Sequence, residues 1–248
     1  MPPILQIEQL SKTVESAPLF SQVTAEVDTS SIIHILGKSG QGKSTLLRIL
    51  GLLTKPDTGT IRLHGIPSSK WEPEQWRSKV SYVAQHAIML PGSVEDNLRA
   101  VSRLHAKPFD QAHALSLMER LGLADIDWSK PAAQLSGGQK QRLALIRTLL
   151  LRPEVLLLDE VTASLDTVSK QAVERMLSEL HYADGTTLIW VTHDLQQARN
   201  LGQRIWFLAD HRLLEDTDAA SFFTNPATEA AKQFLHSVSD SLNGKEGK

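Results

Sequence analysis

Three short apolar runs limit most strongly what this chain can fold into. They are Ile32–Leu36, Val155–Leu158 and Thr187–Val191. Each run is too short for a core helix and too continuously apolar for a strand with one face in water, so each predicts a strand buried on both faces. Segments with helical spacing separate the runs, and this alternation is typical of an α/β fold with a mostly parallel sheet. His34, inside the first run, is interpreted as a core histidine with its hydrogen bonds satisfied.

The composition is that of an ordinary globular chain. Its 248 residues are enough to bury one large α/β core, and 41% of them are apolar and 22% charged. A net charge of −2 predicts no nucleic-acid partner, and the absence of cysteine excludes disulfides and thiolate metal sites. No apolar run approaches the roughly 20 residues of a membrane-spanning helix, and the first residues do not resemble a signal peptide. Any role at a membrane is therefore expected to come through a partner.

Two segments depart from the α/β alternation. The residues through about Val27 contain short alternating stretches, which predict antiparallel strands. From 93 to 151 the sequence has no continuous strand run, and apolar residues recur at helical spacing, as at Leu115, Met118 and Leu121. This second segment is interpreted as a helical subdomain inserted into the α/β core.

These boundaries predict a single domain over residues 1–237. Its α/β core, with the N-terminal antiparallel β subdomain, is expected to comprise 1–92 and 152–237, and the helical subdomain 93–151. The polar tail, 238–248, is expected to be disordered.

A glycine-rich loop, Gly37–Ser44, directly follows the first predicted strand and matches G-x-x-x-x-G-K-[ST] in full. A helix-compatible run, Thr45–Leu50, comes next. The glycines let the backbone turn tightly, so its N–H groups converge on an anion at a helix N-terminus. Lys43 is expected to reach the β- and γ-phosphates of a nucleotide and Ser44 to bind Mg²⁺; the alternative is a glycine-rich turn that binds nothing. The predicted nucleotide contacts are Gly37, Lys38, Ser39, Gly40, Gln41, Gly42, Lys43, Ser44 and Thr45.

Two acids follow the second predicted strand. Asp159 and Glu160 come directly after Val155–Leu158. Acids often end strands simply because the chain is leaving the core, but after a phosphate loop this placement indicates the second half of a phosphoryl-transfer site. Asp159 suits Mg²⁺, and Glu160 is placed to polarise the attacking water as general base.

A third loop, Leu135–Gln139, has the features of a capped helix start. Ser136 can cap the following helix, and Gln139, three residues later, can complete a capping box. The two glycines between them leave backbone N–H groups uncovered, which favours an anion site. An ordinary capped helix is the alternative explanation of the same residues.

In their order along the chain, these loops resemble the ATP-binding cassette (ABC) ATPase family. Leu135–Gln139 resembles its signature motif, Gln85 its Q-loop glutamine, Ser164–Asp166 its D-loop and His193 its switch histidine. The resemblance covers about residues 4–209. It implies a P-loop NTPase core, ATP and Mg²⁺ as cofactors, and ATP hydrolysis as the activity.

The resemblance also implies a composite site. Two cassettes, as a homodimer, pair head to tail, and each ATP lies between the phosphate loop of one chain and the signature loop of the other. The first chain would supply the catalytic residues Lys43, Gln85, Glu160 and His193. It would also supply the metal ligands Ser44, Gln85 and Asp159. The second chain would supply Ser136, Gly138 and Gln139, with Asp166 coupling the two sites.

One position departs from the family pattern. The family places an aromatic residue shortly before the phosphate loop, where it stacks on adenine, and this chain has Val14 there. Because an aliphatic side chain offers no π-face, we expect weaker discrimination of adenine.

The segment Ala87–Leu90, after Gln85, has two interpretations. It is either ordinary core or a groove that accepts a helix of a membrane subunit, and the resemblance favours docking of a polytopic membrane subunit near Gln85–Leu90.

Transport is the first functional hypothesis. Segments 77–85, 91–98 and 190–194 are similar to small stand-alone bacterial cassettes of the FetA/YbbL metal-efflux type. This similarity implies ATP-driven transport of a solute or metal ion through separate membrane subunits, with the cassette on the cytoplasmic face of the inner (plasma) membrane. The alternative is a soluble ABC ATPase in an assembly role such as iron–sulfur cluster biogenesis. A non-hydrolysing regulator is disfavoured, because the catalytic residues implied by the resemblance are all in place.

Overall fold

The computed structural model describes the backbone of residues 2–243 and the side chains of residues 2–237. Its strands are β1 Leu5–Val14, β2 Ala17–Val27, β3 Ile32–Leu36, β4 Thr58–Leu63, β5 Ile66–Pro67, β6 Val80–Val83, β7 Val155–Asp159, β8 Thr187–Val191, β9 Arg204–Ala209 and β10 Arg212–Asp218. Its α-helices are α1 Lys43–Leu50, α2 Pro73–Lys79, α3 Val94–Leu104, α4 Gln111–Arg120, α5 Gly137–Leu149, α6 Thr167–Asp184, α7 Leu195–Leu201, α8 Ala219–Thr224 and α9 Glu229–Asn243. The three predicted buried strands are confirmed as β3, β7 and β8, in which every residue is buried.

The chain forms two compact units. The first is Met1–Glu72 with Ile189–Lys248, and the second is Pro73–Leu188. The predicted helical segment, 93–151, lies inside the second unit together with β6, β7 and α6. The structure describes all of this segment, which contains the helices α3, α4 and α5 and no strand. The segment is therefore helical as predicted, while the compact unit that contains it is larger.

An antiparallel sheet in the first unit has the strand order β2-β1-β4-β5. Leu5 and Ile7 of β1 are buried, and they lie opposite Val27 and Ala25 of β2. This is the alternation expected of strands with one face in a core. The predicted N-terminal antiparallel strands are confirmed.

The strand that leads into the phosphate loop, β3, pairs in parallel with β9, and β9 pairs antiparallel with β10. His34 of β3 is 0% exposed, and neither ring nitrogen has a hydrogen-bond partner among the residues that the structure describes. The ring of Trp190 stacks on it with the centroids 5.5 Å apart. The predicted burial of His34 is confirmed, but the predicted satisfaction of its hydrogen bonds is wrong. An aromatic face covers the imidazole, and its strand neighbours Ile33 and Ile35 are aliphatic.

The C-terminal helices pack on β9 through aromatic contacts. The Phe207 ring lies 5.5 Å from that of Phe222 in α8 and 5.3 Å from that of Phe234 in α9, measured between centroids. Helix α9 continues through Asn243. The disorder expected for residues 238–248 stays a prediction, and residues 244–248 lie outside the described part of the chain.

In the second unit, β6 and β7 pair in parallel. The buried face of α4 is Ala114, Leu117 and Met118, whereas Leu115 is 51% exposed. The predicted helix is confirmed, since Leu115 and Met118 lie in α4 and Leu121 is its C-cap, although Leu115 lies outside the buried face. In the part of the chain that the structure describes, no helix is both long and apolar enough to cross a membrane.

Candidate functional site

The phosphate loop of the first unit requires glycine at two positions. Gly37 has φ 146°, and a Cβ atom there would lie 2.1 Å from the carbonyl oxygen of Leu208. Gly42 has φ 86° and is the N-cap of α1, and a Cβ atom there would lie 2.8 Å from the side chains of Leu19 and Phe20. Both the backbone conformation and the close approach exclude a side chain. The loop is therefore shaped by its backbone.

Lys43 is held against this loop. It is only 6% exposed, and its Nζ donates hydrogen bonds to the carbonyl oxygens of Gly37 and Lys38, each at 2.7 Å. Among the side chains that the structure describes, none caps the start of α1, whose first three residues are Lys43, Ser44 and Thr45. A helix start of this kind, with a fixed cation beside it, suits a phosphate group. The remaining predicted contacts are the exposed Lys38, Ser39 and Gly40 and the half-buried Gln41.

In the second unit, the end of β7 carries the predicted carboxylates. Asp159 is 1% exposed, and the hydroxyl of Tyr82 donates a hydrogen bond to its Oδ2 at 2.8 Å. Gln85 Nε2 donates a hydrogen bond to Glu160 Oε2 at 2.8 Å. The structure thus brings together two side chains, Gln85 and Glu160, that the sequence separates by 75 positions.

Tyr82 is a site residue that sequence reasoning missed. It lies on β6 opposite Leu157 of β7, so the parallel register carries its side chain toward the end of β7. The signal was present as the one aromatic residue in the short run Val80–Val83, directly before Gln85. A neutral hydroxyl that donates to a buried carboxylate helps to fix the orientation of that carboxylate.

Glu160 has a strained backbone. Its φ is 48°, in the left-handed region, where a residue with a side chain is disfavoured by roughly 1–2 kcal/mol. The Ala163 N–H donates to the Glu160 carbonyl at 3.0 Å and closes the turn that follows β7. This conformation turns the chain immediately after β7. The side chain of Glu160 therefore does not continue the strand geometry that places Asp159.

The start of α5 is a complete capping box. The Gln139 N–H donates to Ser136 Oγ at 3.2 Å, and the Ser136 N–H donates to Gln139 Oε1 at 3.0 Å. A Cβ atom on Gly137 would meet nothing within 4 Å, and one on Gly138 would lie 3.4 Å from Leu165. The predicted cap is confirmed, and the backbone between its two members is open to a ligand or partner.

Asp166 is the N-cap of the next helix, α6. Its carboxylate accepts a hydrogen bond from the Ser169 N–H at 2.9 Å. The Ser169 side chain and N–H lower the pKa of the Asp166 carboxyl. Helix capping by itself accounts for these contacts, and a coupling role for Asp166 stays a prediction.

His193 belongs to the first unit and lies between β8 and α7. Its side chain is exposed. The neighbouring backbone is fixed on both sides, since the Asp194 N–H donates to Thr192 Oγ1 at 3.0 Å and the Gln197 N–H donates to Asp194 Oδ1 at 2.9 Å. The loop therefore presents His193 to solvent from a fixed backbone.

The chemistry of the three predicted metal ligands fits Mg²⁺, because each side chain carries an oxygen donor. Among the side chains of residues 2–237, no group of three or more His, Cys, Asp or Glu could hold a metal ion. The candidates are oxygen donors on different loops: the Ser44 hydroxyl, the Asp159 carboxylate and the Gln85 amide. Mg²⁺ binds oxygen ligands, and it is commonly held by one or two carboxylates together with phosphate oxygens and water.

The segment after Gln85 exposes apolar side chains. Ile88 is 75% exposed and Leu90 43% exposed, while Ala87 and Met89 are half-buried. These exposures disagree with ordinary core for Ile88 and Leu90. They agree with a surface that a partner covers.

Val14, at the end of β1, is 49% exposed. The preceding residues are tied down by Asp57, which accepts hydrogen bonds from Lys12 Nζ at 2.7 Å and from the Thr13 N–H at 2.6 Å. Val14 is thus an exposed apolar side chain at the end of a strand whose preceding residues are held by hydrogen bonds.

Comparison with known proteins places these features in one family. Residues 20–163 match the sequence profile described as "ABC transporter". The chain is 40% identical over 217 residues to YjkB of Bacillus subtilis (strain 168), named as an ABC transporter ATP-binding protein, covering 88% of this chain and 86% of YjkB. It is 37% identical over 192 residues to FetA of Escherichia coli (strain K12), named as an iron export ATP-binding protein, covering 77% and 85%.

A solved structure is similar over nearly the same length. It is the dimeric, post-hydrolysis state of the ATP-binding cassette MJ0796 bound to ADP and Pi. The TM-score is 0.76 at 27% identity, covering 87% of this chain and 98% of that one. The similarity extends well beyond the phosphate loop.

Proposed function

The chain belongs to the ABC transporter family and is an ATP-binding, ATP-hydrolysing subunit. From this premise we propose which of its residues bind ATP and which hydrolyse it. The phosphate loop and the β7 carboxylates act on the same ATP, and a second copy of the chain completes the site. The observation that carries this assignment is the 2.8 Å hydrogen bond from Gln85 to Glu160, directly after the buried Asp159.

The phosphate loop supplies binding. The Lys43 ammonium offsets the negative charge of the β- and γ-phosphates, and the N–H groups at the start of α1 donate to their oxygens. Mg²⁺, bound by Ser44, Asp159 and Gln85 together with phosphate oxygens, would neutralise phosphate charge. Binding therefore needs both the loop and the end of β7.

Hydrolysis is assigned to Glu160. Its carboxylate takes a proton from water as the water oxygen bonds to the γ-phosphorus, and the bond to the β–γ bridging oxygen breaks to release ADP and phosphate. Gln85 holds the Glu160 carboxylate, and His193 donates a hydrogen bond to the γ-phosphate. The reaction requires no covalent intermediate on the protein.

The second copy supplies Ser136, Gly138 and Gln139. Their loop begins α5 with open backbone on its exposed side, and the γ-phosphate of an ATP on the facing chain suits that helix start. A head-to-tail dimer provides such a facing chain. The dimeric state of the similar MJ0796 cassette supports this pairing, and in such a dimer Asp166 couples the two sites.

The assignment of Glu160 is tested by Glu160→Gln, which keeps the shape and removes the base. ATP affinity should stay within about three-fold of wild type, while turnover should fall by about a hundred-fold or more. ATP should then trap a dimer on size exclusion. The matched control is Glu154→Gln, at the other end of β7, where the carboxylate forms an exposed ion pair with Lys79; its turnover should not change. Undiminished turnover in Glu160→Gln would remove Glu160 from the base role.

We further propose that the exposed segment Ala87–Leu90 docks a membrane subunit and that the chain works at the cytoplasmic face of the membrane. Ile88, at 75% exposed, supplies apolar area for such a contact. The names of the relatives describe transporters and iron export, and this supports transport over the alternative assembly role in iron–sulfur cluster biogenesis.

Docking is tested by Ile88→Asp, since an unpaired charge in an apolar contact costs several kcal/mol. The melting temperature of the isolated chain should change by no more than about 2 °C, because Ile88 contributes little to the fold. Co-purification with a co-expressed candidate membrane subunit should be lost. Leu104→Asp, on α3 with 67% exposure, is the control and should still co-purify. Co-purification by Ile88→Asp would move the docking surface elsewhere.

A further inference from the structure

Side chains of α5 hold the chain around Gln85 at two points. We call residues 84–90 the Gln85 segment; no helix or strand is assigned to them. Gln141 Nε2 donates a hydrogen bond to the carbonyl oxygen of Ala84 at 2.9 Å, directly before Gln85. Arg147 Nη2 donates to the carbonyl oxygen of Ile88 at 2.9 Å. Gln141 is 3% exposed, so the first contact is shielded from water.

Asn97 of α3 binds the C-terminal end of the Gln85 segment. It is 0% exposed. Its Nδ2 donates to the carbonyl oxygens of Leu90 and Ser93 at 3.1 and 3.0 Å. Its Oδ1 accepts from the Leu90 N–H and from Arg147 Nη1, each at 2.9 Å. Every hydrogen-bonding position of this buried amide is therefore in use, which fixes its orientation.

These side-chain hydrogen bonds take the place of the backbone hydrogen bonds that a helix or strand would provide. A segment outside helices and strands must satisfy its polar backbone groups elsewhere, and here side chains do so. Gln141 and Arg147 are six residues apart on one helix, which spans about 9 Å. Side chains of one helix, α5, thus form hydrogen bonds with the segment on both sides of Gln85.

We propose that Gln141, Arg147 and Asn97 are positioning residues for ATP hydrolysis. They bind the Gln85 segment to the helix that begins at the signature loop, so that Gln85 is presented to Glu160 at a fixed distance. This inference rests on the proposed roles of Gln85 and Glu160 and extends them to residues that touch neither ATP nor the attacking water.

The test compares Gln141→Met and Arg147→Met with Thr148→Val on the same helix, whose hydroxyl donates to Ala144 within α5. Three quantities are measured: hydrogen exchange of the Gln85 segment without nucleotide, kcat and KM for ATP, and the melting temperature. Both Met variants should exchange at least ten-fold faster in the segment. Their kcat should fall about ten-fold, with KM changed less than two-fold. Thr148→Val should leave all three quantities at wild-type values.

Arg147→Lys separates positioning from general structural damage. Lysine keeps the charge but has one ammonium, which lacks the planar fork that reaches Ile88 and Asn97 together. It should give values of exchange and kcat between those of wild type and Arg147→Met. If Arg147→Met does not fold, Gln141→Met and Arg147→Lys decide the outcome.

If the hydrogen-exchange rate of the Gln85 segment is unchanged in both Gln141→Met and Arg147→Lys, the proposal that these side chains order the segment is wrong. Faster exchange with unchanged kcat would overturn its role in positioning Gln85. The proposed function has a separate readout, because Glu160→Gln tests the general base whatever these variants show. If Glu160→Gln loses turnover and Gln141→Met does not, only the positioning proposal fails.

Discussion

The phosphate loop and the Gln85 segment are both irregular, and different forces hold them. Gly37 and Gly42 give the loop a backbone conformation that residues with a side chain cannot adopt. The hydrogen bonds from Lys43 to the loop join residues close in sequence, as between Lys43 and Gly37. The Gln85 segment depends on side chains far along the chain, with 59 positions between Ile88 and Arg147. A region shaped by its own backbone tolerates few substitutions within it, whereas one held from outside is sensitive to residues elsewhere.

The largest effect should follow from breaking the backbone of the loop with Gly37→Ala. The added methyl would lie 2.1 Å from the Leu208 carbonyl oxygen. Strain of about 3 kcal/mol or more is expected, with a melting temperature lower by about 10 °C and ATP affinity reduced by about a hundred-fold. Gly137→Ala is the control for stability, because its methyl would meet nothing within 4 Å. Equal melting temperatures of the two variants would contradict a backbone-shaped loop.

A smaller effect is expected from pH, through the strand that leads into the loop. Burial lowers the pKa of His34 to about 3 from its ordinary value of 6.5, and the charge of Asp194 opposes this only partly. Below pH 6.5 the unfolded chain therefore binds a proton that the folded chain does not, and stability falls as pH decreases toward 3. At pH 5 the loss is about 2 kcal/mol.

Urea unfolding at pH 8, 6.5 and 5 measures this contribution. His34→Phe, which keeps an aromatic ring against Trp190 and removes the titration, should lose about 2 kcal/mol less than wild type between pH 6.5 and 5. Parallel stability curves for the two proteins would show that His34 does not titrate in this way.

The smallest effect concerns the strand end at Val14. Val14→Tyr adds an aromatic face, worth about 1 kcal/mol, so ATP should bind about five-fold tighter and its preference over UTP should increase. Ile66→Tyr, at another exposed apolar site with 46% exposure, should leave nucleotide affinity unchanged. Titration of both variants with ATP and UTP makes the comparison. An equal gain in both variants would remove Val14 from the base contact.

Local patterns made the phosphate loop predictable. Its glycines, its preceding strand and its following helix are contiguous in sequence, and the structure has all three where the sequence predicts them. The capping box of Ser136 and Gln139 was predictable for the same reason. Continuous apolar runs identified β3, β7 and β8, since a strand buried on both faces leaves no alternation.

Features that depend on the tertiary structure were not predictable in this way. Tyr82 reaches Asp159 only because β6 and β7 pair in parallel in one register. Nothing in the sequence indicates that Arg147 binds Ile88 and Asn97. The unsatisfied ring of His34 depends on Trp190, which is far from it in the sequence. Sequence spacing carries no direct information about such neighbours.

The composite site is tested most directly by photocrosslinking in mixed dimers. One chain carries Lys43→Ala and a large tag, and its partner carries Ser136→Arg and no tag. An ATP analogue with a photoreactive group on the γ-phosphate is bound and irradiated, and the labelled chain is identified by mass. Only the partner has an intact phosphate loop, and only the tagged chain has an intact signature loop. We expect the label on the tagged Lys43→Ala chain, and none when that chain is irradiated alone. Label confined to the Ser136→Arg chain would contradict the head-to-tail site.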